Sequence, residues 1–165
     1  MVTLITGGTG FVGANLVKEL ATNGHEVVSM DLSPPDALMS RFIADVSTNI
    51  TFVTGDILDQ QFLDNIQKTY EIDRIIHAAV YTVNQMDLEI EKSREIIDIN
   101  VMGTLNLINA AERKKCKQFI FASSEWVYDN FTNEEEKTEE SIINIANVTS
   151  EYALSKLVSE ANLRR

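Results

Sequence analysis

The 165-residue sequence has one cysteine, one tryptophan, two prolines and no surplus of bases, with 14 Lys and Arg against 25 Asp and Glu. Each shortage excludes something. A single cysteine, Cys116, cannot form an internal disulfide, which fits a reducing cytoplasm. Cys116 stands beside Lys114, Lys115 and Lys117, and a small residue entering a strand explains it better than a reactive thiol. The formal net charge of −11 argues against nucleic acid and anionic membrane as partners, since both demand a basic surface. No apolar run approaches a membrane span. The chain enters Val2-Thr3-Leu4-Ile5 without the basic stretch of a secretory signal. Internal repeats and low-complexity linkers are also missing. A small anionic ligand stays open, because backbone amides at a helix start bind anions without any lysine.

The composition that remains, 44% hydrophobic and 24% charged, is that of a soluble globular protein with one cored domain over residues 1–165. Short apolar runs alternate with helical stretches. Strands are expected at Val2–Thr6, Glu26–Asp31, Ile50–Thr54, Asp73–His77 and Gln118–Ser123. Helices are expected at Val12–Asn23, Gln60–Tyr70, Ile90–Arg113 and Ser150–Leu163. Pro34-Pro35 breaks the chain, and a short helix over Asp36–Val46 is possible. The run Glu134–Glu140 reads as a solvated acidic loop. Strands alternating with helices of this length imply right-handed crossovers and a parallel sheet, hence an α/β three-layer fold of the Rossmann kind.

The first strand ends in Thr6-Gly7-Gly8-Thr9-Gly10-Phe11-Val12-Gly13, with Gly7, Gly10 and Gly13 three apart. Between a strand and a helix, such glycines have distinct tasks. One allows the tight turn, one lets the backbone approach a pyrophosphate, and one lets the helix pack on the strand. The helix dipole and free amides of Phe11, Val12 and Gly13 then favour the anion. The second strand ends at Asp31, 18 residues beyond Gly13. An acid there accepts hydrogen bonds from ribose hydroxyls and repels a 2′-phosphate, and Leu32-Ser33-Pro34 offers no Arg to capture one. This favours NAD over NADP.

Thr-Gly-Gly-Thr-Gly-Phe-Val-Gly resembles the opening of the extended short-chain dehydrogenases/reductases, the NAD-dependent epimerases and dehydratases of nucleotide sugars. The resemblance runs from residue 1 to 165. It implies that Asp56 and the backbone of Ile57 meet the adenine and that Ala78 and Ala79 lie against the cofactor. It counts Asn100 among the cofactor-binding residues, with a role in supporting the site, and gives His77 no acid–base role. Tyr152-Ala153-Leu154-Ser155-Lys156 is a Tyr-x-x-x-Lys, whose ends share a helix face. An ammonium there stabilises tyrosinate and makes the phenol a usable proton donor or acceptor. Following Phe121-Ala122-Ser123-Ser124, the motif implies a catalytic Ser124, Tyr152 and Lys156, with Tyr152 and Lys156 also touching the cofactor.

Two departures from the family are visible. Its members continue beyond Arg165 into further strands and a substrate domain, so the expectation is a nucleotide-binding portion lacking that domain, weakly active by itself. Its dehydratases carry two acids after the catalytic Ser or Thr, whereas here Glu125 is followed by Trp126, which cannot serve as acid or base. Asp129 replaces a glycine common after Val-Tyr. The function expected is therefore NAD-linked hydride transfer of the epimerase or reductase kind. The alternatives are a non-catalytic NAD-binding module and one half of a split enzyme. The partners expected are a dinucleotide, a small substrate of nucleotide-sugar type, and a second copy of the chain. Ile96, Ile99, Leu107, Ala153, Leu157 and Ala161 are the candidates for that homodimer contact.

Overall fold

The computed structural model describes residues 1–83, 86–113, 116–128 and 136–164. Asp129, Lys114, Lys115, Arg165 and the first two residues of the acidic run, Glu134 and Glu135, lie outside the described residues. The chain groups into two compact units. The first comprises residues 1–80 and 103–122, the second residues 81–102 and 123–165.

The first unit carries five parallel strands: β1 Val2–Thr6, β2 Glu26–Asp31, β3 Ile50–Thr54, β4 Arg74–His77 and β5 Gln118–Phe121. Their order is β3-β2-β1-β4-β5. Residues 3–6 of β1 and 27–30 of β2 are all buried, because a central parallel strand is covered on both faces. The helices are α1 Phe11–Thr22, α2 Ala37–Phe42 and α3 Gln60–Tyr70. A later helix, Gly103–Arg113, belongs to the same unit. The chain steps one way from β1 to β3, then returns past β1 to β4 and β5. Right-handed crossovers therefore place α1 and α2 on one face and α3 with the Gly103–Arg113 helix on the other. Ile5, Val17, Ala21, Val27, Met39, Ile43 and Ile76 form one core cluster. The sense of stepping reverses between β1 and β4, and in open sheets of this kind ligands bind off the carboxyl ends of the strands at such a point.

Local chemistry sets the helix ends. Asp36 caps α2 by accepting from the Met39 amide, and Asp59 caps α3 by accepting from the Phe62 amide. After α2 the chain continues as a tight helical turn, Ala44–Asn49, so the short helix expected over 36–46 is two pieces.

The second unit holds α4 Met86–Glu91 and α5 Ser93–Ile97. A π-helical segment, Asp98–Met102, follows, and the helix Gly103–Arg113, here α6, comes next in the chain. The single helix expected over 90–113 is thus segmented. Lys92 leaves helical geometry at φ −103°, ψ 10°, and the turn widens around Asn100, whose side chain is taken up by tertiary contacts. Gly103 has a packing reason: a Cβ there would lie 2.5 Å from Ile57 Cδ1. The last helix is α7, Glu151–Leu163, capped by Ser150. Ile96, Leu107 and Ala153 are buried within the chain itself. They cannot supply a subunit contact as the sequence suggested, because each is already covered by its own fold. Among the described residues no helix is long and apolar enough to cross a membrane.

Candidate functional site

The glycine loop follows β1 and sits beside the end of β4. Gly7 has φ +69°, where only glycine is unstrained, and a Cβ on it would press to 2.7 Å from the Ala79 amide nitrogen. A Cβ on Gly13 would collide with the Gly7 carbonyl, lying 2.7 Å from its carbon. Gly10 differs: its Cβ would meet only the Gly7 oxygen, at 3.3 Å, with open space beyond. Gly10 is also the N-cap position just before α1, and no side chain caps the helix there. The first amides of a helix have no intrahelical partner, so α1 presents uncapped donors beside an open face. Phe11 and Val12 are exposed there, at 89% and 56%.

Asp31 lies at the end of β2 and is tied to this loop. Its Oδ2 accepts from the Thr9 amide at 3.0 Å and its Oδ1 from the Leu32 amide at 2.8 Å. Asp56 is exposed, with Oδ1 accepting from the Leu58 amide. Ile57 is buried, and its carbonyl accepts from Asn106 Nδ2. Ala78 and Ala79 donate their amides to the carbonyl and the hydroxyl of Thr6. His77 is buried, with Nδ1 2.7 Å from Thr6 Oγ1 and Nε2 2.9 Å from Thr104 Oγ1. Both ring nitrogens are engaged, which suits the structural role expected of it.

In the second unit Tyr152 and Lys156 come together on α7. Lys156 is buried, and its ammonium lies 5.7 Å from the centroid of the Tyr152 ring. Burial disfavours the charged form and pulls the Lys156 pKa down to about 8. Ser124 is held by its neighbours in sequence: its Oγ accepts from the Trp126 amide at 3.3 Å and donates weakly to Glu125 at 3.5 Å. An open cleft of about 750 Å³ borders Ser124 and is also lined by Glu125, Val127, Tyr128, Lys137 and Glu160. Asn100, buried in the π segment, accepts from the Tyr81 amide and donates to the Tyr81 carbonyl and to Ser155 Oγ. Both of its amide hydrogens are used inside the protein, so its side chain braces α7 and the segment at Tyr81. That suits the supporting role implied for it better than direct cofactor contact.

Comparison with known proteins matches this architecture. The model of the NAD-dependent epimerase/dehydratase family covers residues 3–165. The chain belongs to that family. It is 31% identical over 167 residues to a dTDP-D-glucose 4,6-dehydratase of Dictyostelium discoideum, covering 95% of this chain and 38% of that protein. It is 32% identical over 130 residues to a UDP-glucose 4-epimerase of Klebsiella pneumoniae, covering 78% of this chain and 92% of that protein. The structure of the Bifidobacterium longum UDP-glucose 4-epimerase in complex with NAD+ and UDP superposes with a TM-score of 0.86 at 30% identity, covering 99% of this chain and 48% of that one. The chain thus spans less than half the length of the Dictyostelium discoideum and Bifidobacterium longum proteins.

Against the pattern expected of an epimerase/dehydratase family member, two groups stand out that the sequence did not reveal. Glu89, on α4, accepts from the Tyr152 amide at 2.6 Å. Ser155 and Ser159 tie α7 to the π segment, Ser155 by accepting from Asn100 and Ser159 by donating to its carbonyl at 3.0 Å. The serines sit at i, i+4 on α7, a spacing that could have marked them as one buried polar stripe. Glu89 carries no such signal, because its partner is 63 residues away.

Proposed function

We propose that the chain binds NAD and takes part in hydride transfer at a hydroxyl or carbonyl of a nucleotide-sugar substrate, with Tyr152 exchanging the substrate proton. The observation that carries this reading is the buried Lys156 ammonium beside the Tyr152 ring. The glycine loop fits a dinucleotide: α1 starts without a side-chain cap, the face over Gly10 is open, and a carboxylate stands at the end of the adjoining strand. Bound NAD supplies a centre that accepts and returns hydride.

The protein's own residues would do the rest. Phe11, Val12 and Gly13 offer amides to the pyrophosphate, and Asp31 takes the ribose hydroxyls with the lone pairs its two amide donors leave over. Asp56 and the Ile57 backbone border the adenine, while Ala78 and Ala79 leave room for the ring system. Ser124 orients the substrate oxygen. Lys156, still mostly charged at neutral pH, stabilises tyrosinate at Tyr152 and binds a ribose hydroxyl. Above about pH 8 it loses its proton and that support fades. Trp126, 47% exposed, supplies no acid or base. That favours epimerisation or reduction over the elimination run by dehydratase relatives. Ile99, Leu157 and Ala161 remain for contact with a second copy of the chain.

The test is a panel of nucleotide sugars assayed for NAD reduction and for epimerisation. Turnover lost in Tyr152→Phe is the expected result, by roughly a hundredfold or more as for removal of a general acid–base. Turnover indifferent to Tyr152→Phe would remove the assignment. Cofactor choice is tested separately by calorimetry. NAD should bind more tightly than NADP, and Asp31→Ala should narrow the gap mainly by weakening NAD. The same substitution removes the acceptor of the Thr9 amide, so it should also lower stability by about 1–2 kcal/mol. Equal affinities in the parent chain would show that Asp31 does not select the cofactor.

A further inference from the structure

Helix α7 begins at Glu151, so Tyr152 lies in its first turn. Ser150 already supplies an ordinary cap, its Oγ accepting from the Ala153 amide at 3.2 Å. A second tether arrives from α4. Glu89 Oε1 accepts from the Tyr152 amide at 2.6 Å and from Ser150 Oγ at 2.8 Å. One carboxylate oxygen therefore holds both the cap residue and the backbone of the tyrosine. Such bonds to an ionised acceptor are stronger than neutral ones, and an anion at the positive end of a 13-residue helix gains further. A local cap closes a helix but leaves its first turn free to rotate against its surroundings. A carboxylate from another element removes that freedom.

We propose that Glu89 is a positioning residue for Tyr152, fixing the first turn of α7 so that the phenol keeps its place beside Lys156. This rests on the reading of Tyr152 as the proton-exchanging group. Lys156 sits one turn further along the same helix, within its regularly bonded part. Without Glu89 the first turn would shift while the lysine stayed, and the 5.7 Å ring-to-ammonium separation would change.

The experiment uses the 165-residue chain labelled with ¹³C at tyrosine Cζ and lysine Cε, with Tyr152→Phe assigning the tyrosine signal and Tyr70, in the first unit, as internal control. Glu89→Ala should displace the Tyr152 signal, leave Tyr70 in place, and shift the Lys156 titration away from its midpoint of about 8. Glu89→Gln keeps an acceptor oxygen at the same reach and should restore the parent spectrum. A folded Glu89→Ala chain with Tyr152 and Lys156 unmoved overturns the proposal and leaves Glu89 a mere cap. Should Glu89→Ala fail to fold, Glu89→Asp replaces it. Its carboxylate is one methylene too short, and an unmoved Tyr152 signal there overturns the proposal equally. None of these readouts needs turnover. Turnover in the parent that survives Tyr152→Phe would count against the proposed reaction, whereas an unmoved signal counts against Glu89 alone.

Discussion

Gly10→Val should abolish measurable NAD binding in a chain that still folds, while Gly13→Val should fail to fold. The two glycines are three residues apart in one loop, yet their surroundings differ. At Gly10 a Cβ meets a single atom at 3.3 Å, and φ −72°, ψ 171° is open to any residue. Valine is a poor residue to begin a helix, which costs no more than about 1 kcal/mol against glycine. Its branched side chain would fill the space over the uncapped amides of α1, where the pyrophosphate is proposed to lie. A loss of about a hundredfold or more in affinity, ~2.7 kcal/mol, is expected by calorimetry. At Gly13 the new carbon collides with the backbone of Gly7 and Gly8, which cannot shift as the end of a flexible side chain could. Overpacking against fixed backbone costs about 3 kcal/mol or more, a large part of a domain's stability. Circular dichroism and thermal melts separate the outcomes. Unchanged NAD affinity in a folded Gly10→Val chain would mean the loop is not the dinucleotide site.

The contrast between these glycines also marks how far the sequence could be read. Three evenly spaced glycines after an apolar run announce a loop between strand and helix, and the loop is there. Which glycine faces a neighbour and which faces open space depends on Ala79 and Gly7, contacts that spacing does not encode. The same division runs through the fold. β2, β3 and α3 begin and end where the sequence places them, at Glu26–Asp31, Ile50–Thr54 and Gln60–Tyr70, since strand runs and an Asp59 cap are local signals. The stretch 90–113 looked like one helix because Gly103 and Lys92 are tolerated inside helical patterns. Its break and its π turn answer to Ile57, Tyr81 and Ser155, all distant in sequence. On α7, Tyr152 and Lys156 were legible as a pair through their i, i+4 spacing. The brace behind them, Asn100 with Ser155 and Ser159, was only half legible, and Glu89 was not legible at all. Local spacing reveals side chains that share an element, and long-range tethers need the fold.

Lys156→Met should make the chain more stable at pH 7 while removing whatever turnover Tyr152 supports. The prediction follows from linkage. The Lys156 pKa falls from an ordinary 10.5 to about 8 through burial. Below pH 8 the folded and unfolded chains both carry the proton, and the folded chain bears the net cost of burying the charge that the lowered pKa reports. Between about 8 and 10.5 the unfolded chain holds more protons than the folded one, so the parent gains stability as pH rises. Methionine has a similar length and no charge. Its advantage should be largest at neutral pH, at most about 3 kcal/mol from the size of the shift, or several degrees in Tm. The advantage should shrink steadily from pH 8 to 10.5. Denaturant melts of parent and variant at half-unit pH steps measure it. A gap constant across that range would show that Lys156 is not the group titrating there. A lysine retained against the stability of its own fold is expected where chemistry requires the charge, and perturbed groups of this kind concentrate at functional sites. The stabilised variant should therefore be the inactive one. Retained Tyr152-dependent turnover in Lys156→Met would mean the ammonium plays no part in setting the phenol's proton affinity.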